Sequence, residues 1–148
     1  MIVSESVTVD APVQAVYQAF ADLDRWPQIL PDVVAVNVIY FDGYHQEFTM
    51  TVDRPAGPET VKGVRYCRPP AELELFQSTT PPGLARMNGR WAFEETGGRT
   101  TVVASRDFAL ADGNPLGVTE AEFGNRLRGF LSTNLELFRK AVEADGPR

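Results

Sequence analysis

One cysteine, Cys67, and one histidine, His45, are all this chain has of the two residue types that most often hold zinc or act as nucleophile and base. A lone thiol closes no internal disulfide, which suits a reducing compartment. Together the two residues fall short of the usual zinc ligand count, and nothing in their spacing makes them a catalytic pair. The chain also lacks a serine–histidine–acid arrangement, a phosphate-binding glycine loop and a metal-ligand cluster. The chemistry expected is therefore cofactor-free, on an organic molecule with keto or hydroxyl groups. No apolar run is long enough for a membrane span, and Met1-Ile2-Val3-Ser4-Glu5 does not read as a signal peptide, so a cytoplasmic protein without membrane insertion is expected. Basic residues are neither abundant nor clustered: 14 Lys and Arg against 20 Asp and Glu leave a net charge of −6, which argues against nucleic acid and anionic membrane surfaces as partners. No repeat, low-complexity tract or linker divides the 148 residues, so one domain over 1–148 is expected. Oligomeric state leaves no trace in the sequence.

The strongest pattern lies near the end, from Thr119 to Ala144. Phe123, Leu127, Phe130, Leu131, Leu135, Phe138, Ala141 and Val142 recur at the three-and-four spacing of one helix face, while Glu136 and Lys140 on the other face can pair. Asn114-Pro115 and the Thr119-x-x-Glu122 capping box mark its start. Gly124 and Gly129 lie inside this helix, each at a cost of about 1 kcal/mol relative to alanine. Two readings are open for them: close packing against a strand, or room kept for a ligand.

The rest of the chain is mostly of period two. Val3, Val7 and Val9 form a first strand. Asp10 caps a helix with Pro12 in its first turn and Val13, Val16, Tyr17 and Phe20 on its inner stripe. A short second turn leads to Trp26-Pro27, where proline moves the preceding residue out of helix. Six strands follow: Val33–Phe41, Tyr44–Asp53 after an Asp42-Gly43 turn, Thr60–Arg68, Ala71–Thr79, Leu84–Glu95 and Thr100–Leu110. The predicted class is α+β: seven strands in a curved antiparallel sheet, two short helices after the first strand, and a long C-terminal helix across the sheet.

Such a sheet and helix must either fill the space between them or leave a cavity. Alternation selects the side chains facing it. Phe48 and Met50, Met87 with Trp91, and Leu127 and Phe130 on the helix are expected to line it as substrate-binding residues. Val64, Tyr66 and Arg68 share one face of their strand, opposite Gly63, Arg65 and Cys67. Arg106 shares a face with Val102, Ala104 and Phe108. Arg68 and Arg106 thus belong to largely apolar rows, where a guanidinium needs either a carboxylate or a ligand's oxygens.

Val9-Asp10-Ala11-Pro12 leading into Val16-Tyr17 and Phe20, then Asp22-Leu23-Asp24-Arg25-Trp26-Pro27, Arg54-Pro55, Arg68 at its strand end, Met87-Asn88 with Trp91, and Asn134-Leu135-Glu136 together resemble the helix-grip (START/Bet v 1-like, SRPBCC) superfamily, and within it the bacterial polyketide aromatase/cyclases. The resemblance covers nearly the whole chain. It implies a helix-grip fold and a cavity in which a poly-β-keto chain, delivered by an acyl carrier protein, undergoes aldol cyclisation and dehydration in antibiotic biosynthesis. Arg68 matches the arginine that polarises the chain's carbonyls, and Trp26 and Trp91 match pocket walls. Tyr66, as a catalytic partner of Arg68, and Arg106, as a substrate-binding residue, are additions from alternation. Val33 stands where the family often has a tyrosine, and Lys62 and Val64 stand where tryptophans are expected. The resemblance leaves two alternatives beside the cyclase: a non-catalytic carrier or sequestering protein for a hydrophobic molecule, and an interaction module with a vestigial pocket.

Overall fold

The computed structural model describes residues 1–146. Its order is β1 (Ile2–Val9), α1 (Val13–Ala21), a 3-10 turn (Leu23–Arg25), α2 (Trp26–Ile29), β2 (Val33–Phe41), β3 (His45–Arg54), β4 (Gly57–Arg68), β5 (Glu72–Gln77), β6 (Leu84–Thr96), β7 (Arg99–Leu110) and α3 (Glu120–Asp145). One seven-stranded sheet runs β1-β7-β6-β5-β4-β3-β2, every pairing antiparallel. The predicted class and element order hold. Register shifts in β2 at Val33/Ala35 and Val38/Tyr40, and in β6 at Leu84/Arg86, bend the sheet into a half-pipe over α3. The first hairpin turns where predicted: Gly43 takes φ 96°, and the Asp42 carboxylate accepts from the Tyr44 and His45 backbone N–H groups at 2.9 and 2.7 Å.

Several local expectations fail for local reasons. Helix α3 begins at Glu120, and Asn114 sits in a turn at φ 45°, so Asn114-Pro115 starts no helix. The Thr119 hydroxyl accepts from the Glu122 N–H and donates to its carboxylate, both at 3.1 Å, so the capping box is the operative signal. Glu136 pairs with Arg139 rather than Lys140, because Arg139 reaches both Glu136 and Glu143. Pro12, not Asp10, caps α1 and makes no side-chain cap bond. Trp26 is helical at φ −57°, ψ −39°, with Pro27 accepted in the first turn of α2, where its missing N–H has no helical partner to lose. Strand β4 starts three residues earlier than Thr60, at Gly57.

Aromatic packing closes one end of the pipe. Phe20 of α1 stacks on Phe138 of α3 at 3.9 Å between ring centroids and meets Phe93 edge-on at 5.3 Å. Trp26 packs edge-on to Phe138 and Trp91 at 5.4 and 6.0 Å. The two interior glycines of α3 divide the two readings between them. A Cβ on Gly124 would lie 3.1 Å from Met1 Sδ and 3.2 Å from Val3 Cγ1, so there the helix presses against β1. A Cβ on Gly129 would meet nothing within 4 Å, and Gly129 borders an open hollow.

Candidate functional site

Beyond the aromatic plug, sheet and helix enclose a cavity of about 600 Å³. Its walls include Trp26, Trp91, Phe48, Met50, Met87 and Arg106, and α3 contributes Leu127 and Phe130. The structure therefore brings together all eight residues expected to line the space. Phe130 remains 43% exposed, which places it at the mouth. Val33 also lines the cavity and is buried, so the wall position where a tyrosine was expected offers no proton.

Arg68 and Tyr66 are the correction. Both lie on the outer face of β4. The Arg68 side chain is 46% exposed, its guanidinium hydrogen-bonded to Glu74, 3.6 Å from Glu72 and 3.3 Å from the Tyr44 hydroxyl. Tyr66 packs in an outer aromatic row with Tyr44, His45 and Phe76. The reason is register. Gln46 lies opposite Arg65 and Phe48 opposite Gly63, so the row facing the cavity is Val61, Gly63 and Arg65. Gly63 is part of the arrangement: a Cβ there would sit 2.8 Å from Phe48 Cζ.

The arginine that points inward is Arg65, the largest fully buried side chain in the protein at 0% exposure. Its Nε donates to Gln46 Oε1 at 2.9 Å, Nη1 to the Phe20 carbonyl at 2.8 Å and Nη2 to the Ala21 carbonyl at 2.8 Å. Phe20 and Ala21 end α1, so the cation sits against carbonyls that the helix leaves unsatisfied and against the negative end of its dipole. This explains how a charge is buried with no carboxylate beside it. Trp26 and Trp91 flank the guanidinium at 5.3 and 5.7 Å, adding cation–π attraction. Burial nevertheless pulls its pKa below the ordinary guanidinium value, and the group stays charged at neutral pH. Of five N–H donors three are committed, leaving one hydrogen on each terminal nitrogen.

Arg106 on β7 is the second inward cation. Its Nη1 donates to the Ser105 carbonyl at 2.8 Å, and its guanidinium carbon lies 4.8 Å from the Trp91 ring centroid. Burial, with no compensating charge, pulls its pKa down to about 10. Gln77 brings an amide oxygen that is buried without a donor, and Asn134 adds another amide to the wall.

A smaller cleft of about 380 Å³ lies behind the Arg65–Gln46 pair, bordered by Tyr17, Gln46 and Cys67. The Tyr17 hydroxyl is buried beside the Cys67 thiol, and burial raises its pKa well above the ordinary phenol value. Burial likewise pushes the Cys67 thiol up, so it is a poor nucleophile. His45 sits on the outer face, 3.0 Å from Glu47. Cysteine and histidine take no part in the cavity.

Residues 1–143 match the family model described as polyketide cyclase / dehydrase and lipid transport. The chain belongs to this family. Among its relatives, the granaticin polyketide synthase bifunctional cyclase/dehydratase of Streptomyces violaceoruber is 29% identical over 119 residues, which cover 79% of this chain and 37% of that protein. The di-domain ARO/CYC BexL of the BE-7585A biosynthetic pathway superposes with a TM-score of 0.85 at 27% identity, over all of this chain and 50% of that one. The Zhui aromatase/cyclase of Streptomyces sp. R1128 shares the fold at a TM-score of 0.81 and 23% identity, over 97% of this chain and 93% of that one. This polyketide cyclase family chain thus spans about a third of the cyclase/dehydratase it matches and half of the di-domain protein. Among its described residues no helix is long and apolar enough to cross a membrane.

Proposed function

We propose that the protein is a cofactor-independent polyketide cyclase/dehydratase that closes a ring within a poly-β-keto chain held in the 600 Å³ cavity. One observation carries the reading: Arg65 borders the cavity as a buried cation without a carboxylate, fixed by the end of α1 with two N–H hydrogens uncommitted. A carbonyl oxygen hydrogen-bonded there would gain stabilisation as it becomes an enolate or alkoxide, an effect strongest in a dry, preorganised site. The apolar walls would hold the chain folded so that the nucleophilic carbon lies against its target carbonyl, a proximity contribution. Ring closure forms a carbon–carbon bond and leaves an alkoxide, which takes up a proton. Loss of that hydroxyl and an adjacent α-hydrogen as water then gives the unsaturated ring. The family membership and the names of the cyclase relatives support this substrate class. Delivery by an acyl carrier protein, in the cytoplasm, is part of the same proposal.

Val33 in the wall favours a second reading, a carrier that holds the hydrophobic molecule without transforming it. Among the described residues the cavity has no histidine or tyrosine, and Asp32 is its one carboxylate. The test presents a thioester-linked poly-keto mimic to the wild type, Arg65→Lys and Arg65→Ala, with folding checked by circular dichroism. An altered cyclised product profile with the wild type, lost in folded Arg65 variants, supports the cyclase. Profiles equal to the protein-free control in all three, with a stoichiometric ligand retained in native mass spectrometry, would replace it with the carrier.

A further inference from the structure

The cavity carries a charge of opposite sign to the protein around it. The chain's net charge is −6, yet the charged side chains on the cavity's side are Arg54, Arg65, Arg106 and Arg126 against Asp32, Lys62 lying on the outer row of β4. Elsewhere carboxylates answer arginines: Glu72 and Glu74 hold Arg68, Asp107 holds Arg86, and Glu136 and Glu143 hold Arg139. Among the described residues only Arg54 of these bordering cations has such a partner, Glu59 at 3.3 Å.

Arg106 shows how this excess is used. It lies opposite Gly89 in the β6–β7 register, and a Cβ on Gly89 would come within 2.8 Å of its Nη1. The missing side chain is thus a saddle in which the guanidinium lies flat, with Trp91 beneath and the Ser105 carbonyl holding one nitrogen. One of five donors is committed, which leaves four, including those of the Nε–Nη2 edge that binds two coplanar oxygens at once. Hemmed in by protein yet retaining accessible surface, the group faces a hollow rather than bulk water. A charge placed so, with no countercharge, is expensive unless a ligand supplies one.

We propose that Arg106, seated on Gly89 and Trp91, is an anion-recognition residue that selects ligands bearing a planar, two-oxygen anionic group. Two sources share that chemistry: a free carboxylate on an aromatic or poly-keto acid, and the ionised enol of a β-diketone within the chain. Gln77, with its unpaired amide oxygen, would accept a hydroxyl hydrogen elsewhere on the same molecule. The inference deepens the cavity-site reading by naming the charge of its ligand.

The test measures binding by quenching of tryptophan fluorescence, since Trp91 and Trp26 line the site. The probes are 2-naphthoate, its methyl ester, a naphthyl β-diketone, and the same diketone with its central carbon doubly methylated so that it cannot enolise. The wild type is expected to bind at least one anion-capable probe tenfold or more tightly than its blocked partner. Preference for naphthoate over the ester assigns the free carboxylate; preference for the enolisable diketone assigns the enolate. Arg106→Gln should reduce either preference to less than twofold, Arg106→Lys should restore part of it, and Gly89→Ala should weaken it by displacing the guanidinium. Naphthoate binding should also weaken as pH falls toward about 4, where a carboxyl group protonates. Equal affinity for both members of each pair, or a preference that survives in folded Arg106→Gln, overturns the proposal. The outcome is separable from the cyclase reading. Anion preference without turnover of the thioester mimic leaves this inference standing and removes the enzyme. Turnover without anion preference does the reverse.

Discussion

Replacing Gln46 by glutamate tests whether the unpaired charge of Arg65 matters to the cavity. The two side chains are nearly isosteric, and Gln46 Oε1 already accepts from Arg65 Nε at 2.9 Å, so little should move. What changes is charge. A carboxylate there, its charge centre about 4 Å from that of the guanidinium, attracts it by about 4 kcal/mol at an effective dielectric of 20. Against this stands the cost of burying a second ion where Gln46 is 3% exposed, of the order of several kcal/mol. The terms nearly cancel, so stability should change by less than about 2 kcal/mol. For a domain of this size that is roughly a 4–8 °C shift in Tm at most. Activity should not be spared. With its field neutralised, the guanidinium loses most of its stabilisation of a developing oxyanion, and removal of one such donor typically lowers kcat about 10²–10³-fold. The assay pairs thermal unfolding with product analysis on the thioester mimic, Gln46→Leu serving as a second variant. Leucine leaves Arg65 Nε without an acceptor, which should cost about 1.5–3 kcal/mol while leaving the charge unneutralised. Gln46→Glu folded and fully active would refute the argument that Arg65 acts through its uncompensated charge.

Arg68→Ala, at the residue the family pattern singles out, should leave the product profile within twofold of wild type and cost under about 1 kcal/mol, since its ion pairs are solvent-exposed; loss of cyclisation would show that the outer face takes part. The two α3 glycines should part company in thermal unfolding. Gly129→Ala should gain about 1 kcal/mol from helix propensity alone, whereas Gly124→Ala should gain nothing or lose, because Val3 on β1 cannot step aside; equal shifts would contradict the packing described. Hydrogen bonding from Arg90, with Arg68 nearby, holds the Glu72 carboxyl below its ordinary pKa. Its stabilisation is therefore present above the unfolded-state value, about 4.3, and lost as pH falls through the lower folded value. Unfolding midpoints measured from pH 6 to pH 3 should fall more steeply for the wild type than for Glu72→Gln, and parallel curves would remove this contribution.

Much of the architecture follows from local chemistry. Strand periodicity, the Asp42-Gly43 turn and the Thr119 capping box sufficed for element order, because each depends on residues within a few positions of one another. Seven of the eight cavity-lining residues were legible for the same reason, as members of largely apolar rows, and Trp26 through the family resemblance. What the sequence could not decide is which of two rows on β4 faces inward. Arg65 and Arg68 are three residues apart, so alternation puts them on opposite faces without saying which face is which. A hint was present: Lys62 and Arg68 make their row the more charged, while Gly63 and Cys67 leave Arg65 among small neighbours. Pairing with β3 settles it, since Gln46 opposite Arg65 and Phe48 opposite Gly63 bring an acceptor to the first and a ring to the second. The carbonyls of Phe20 and Ala21 lie 45 and 44 residues from Arg65 in the chain and make its burial tolerable. Periodicity reports on neighbours in the chain, whereas a buried charge depends on partners that only folding brings together.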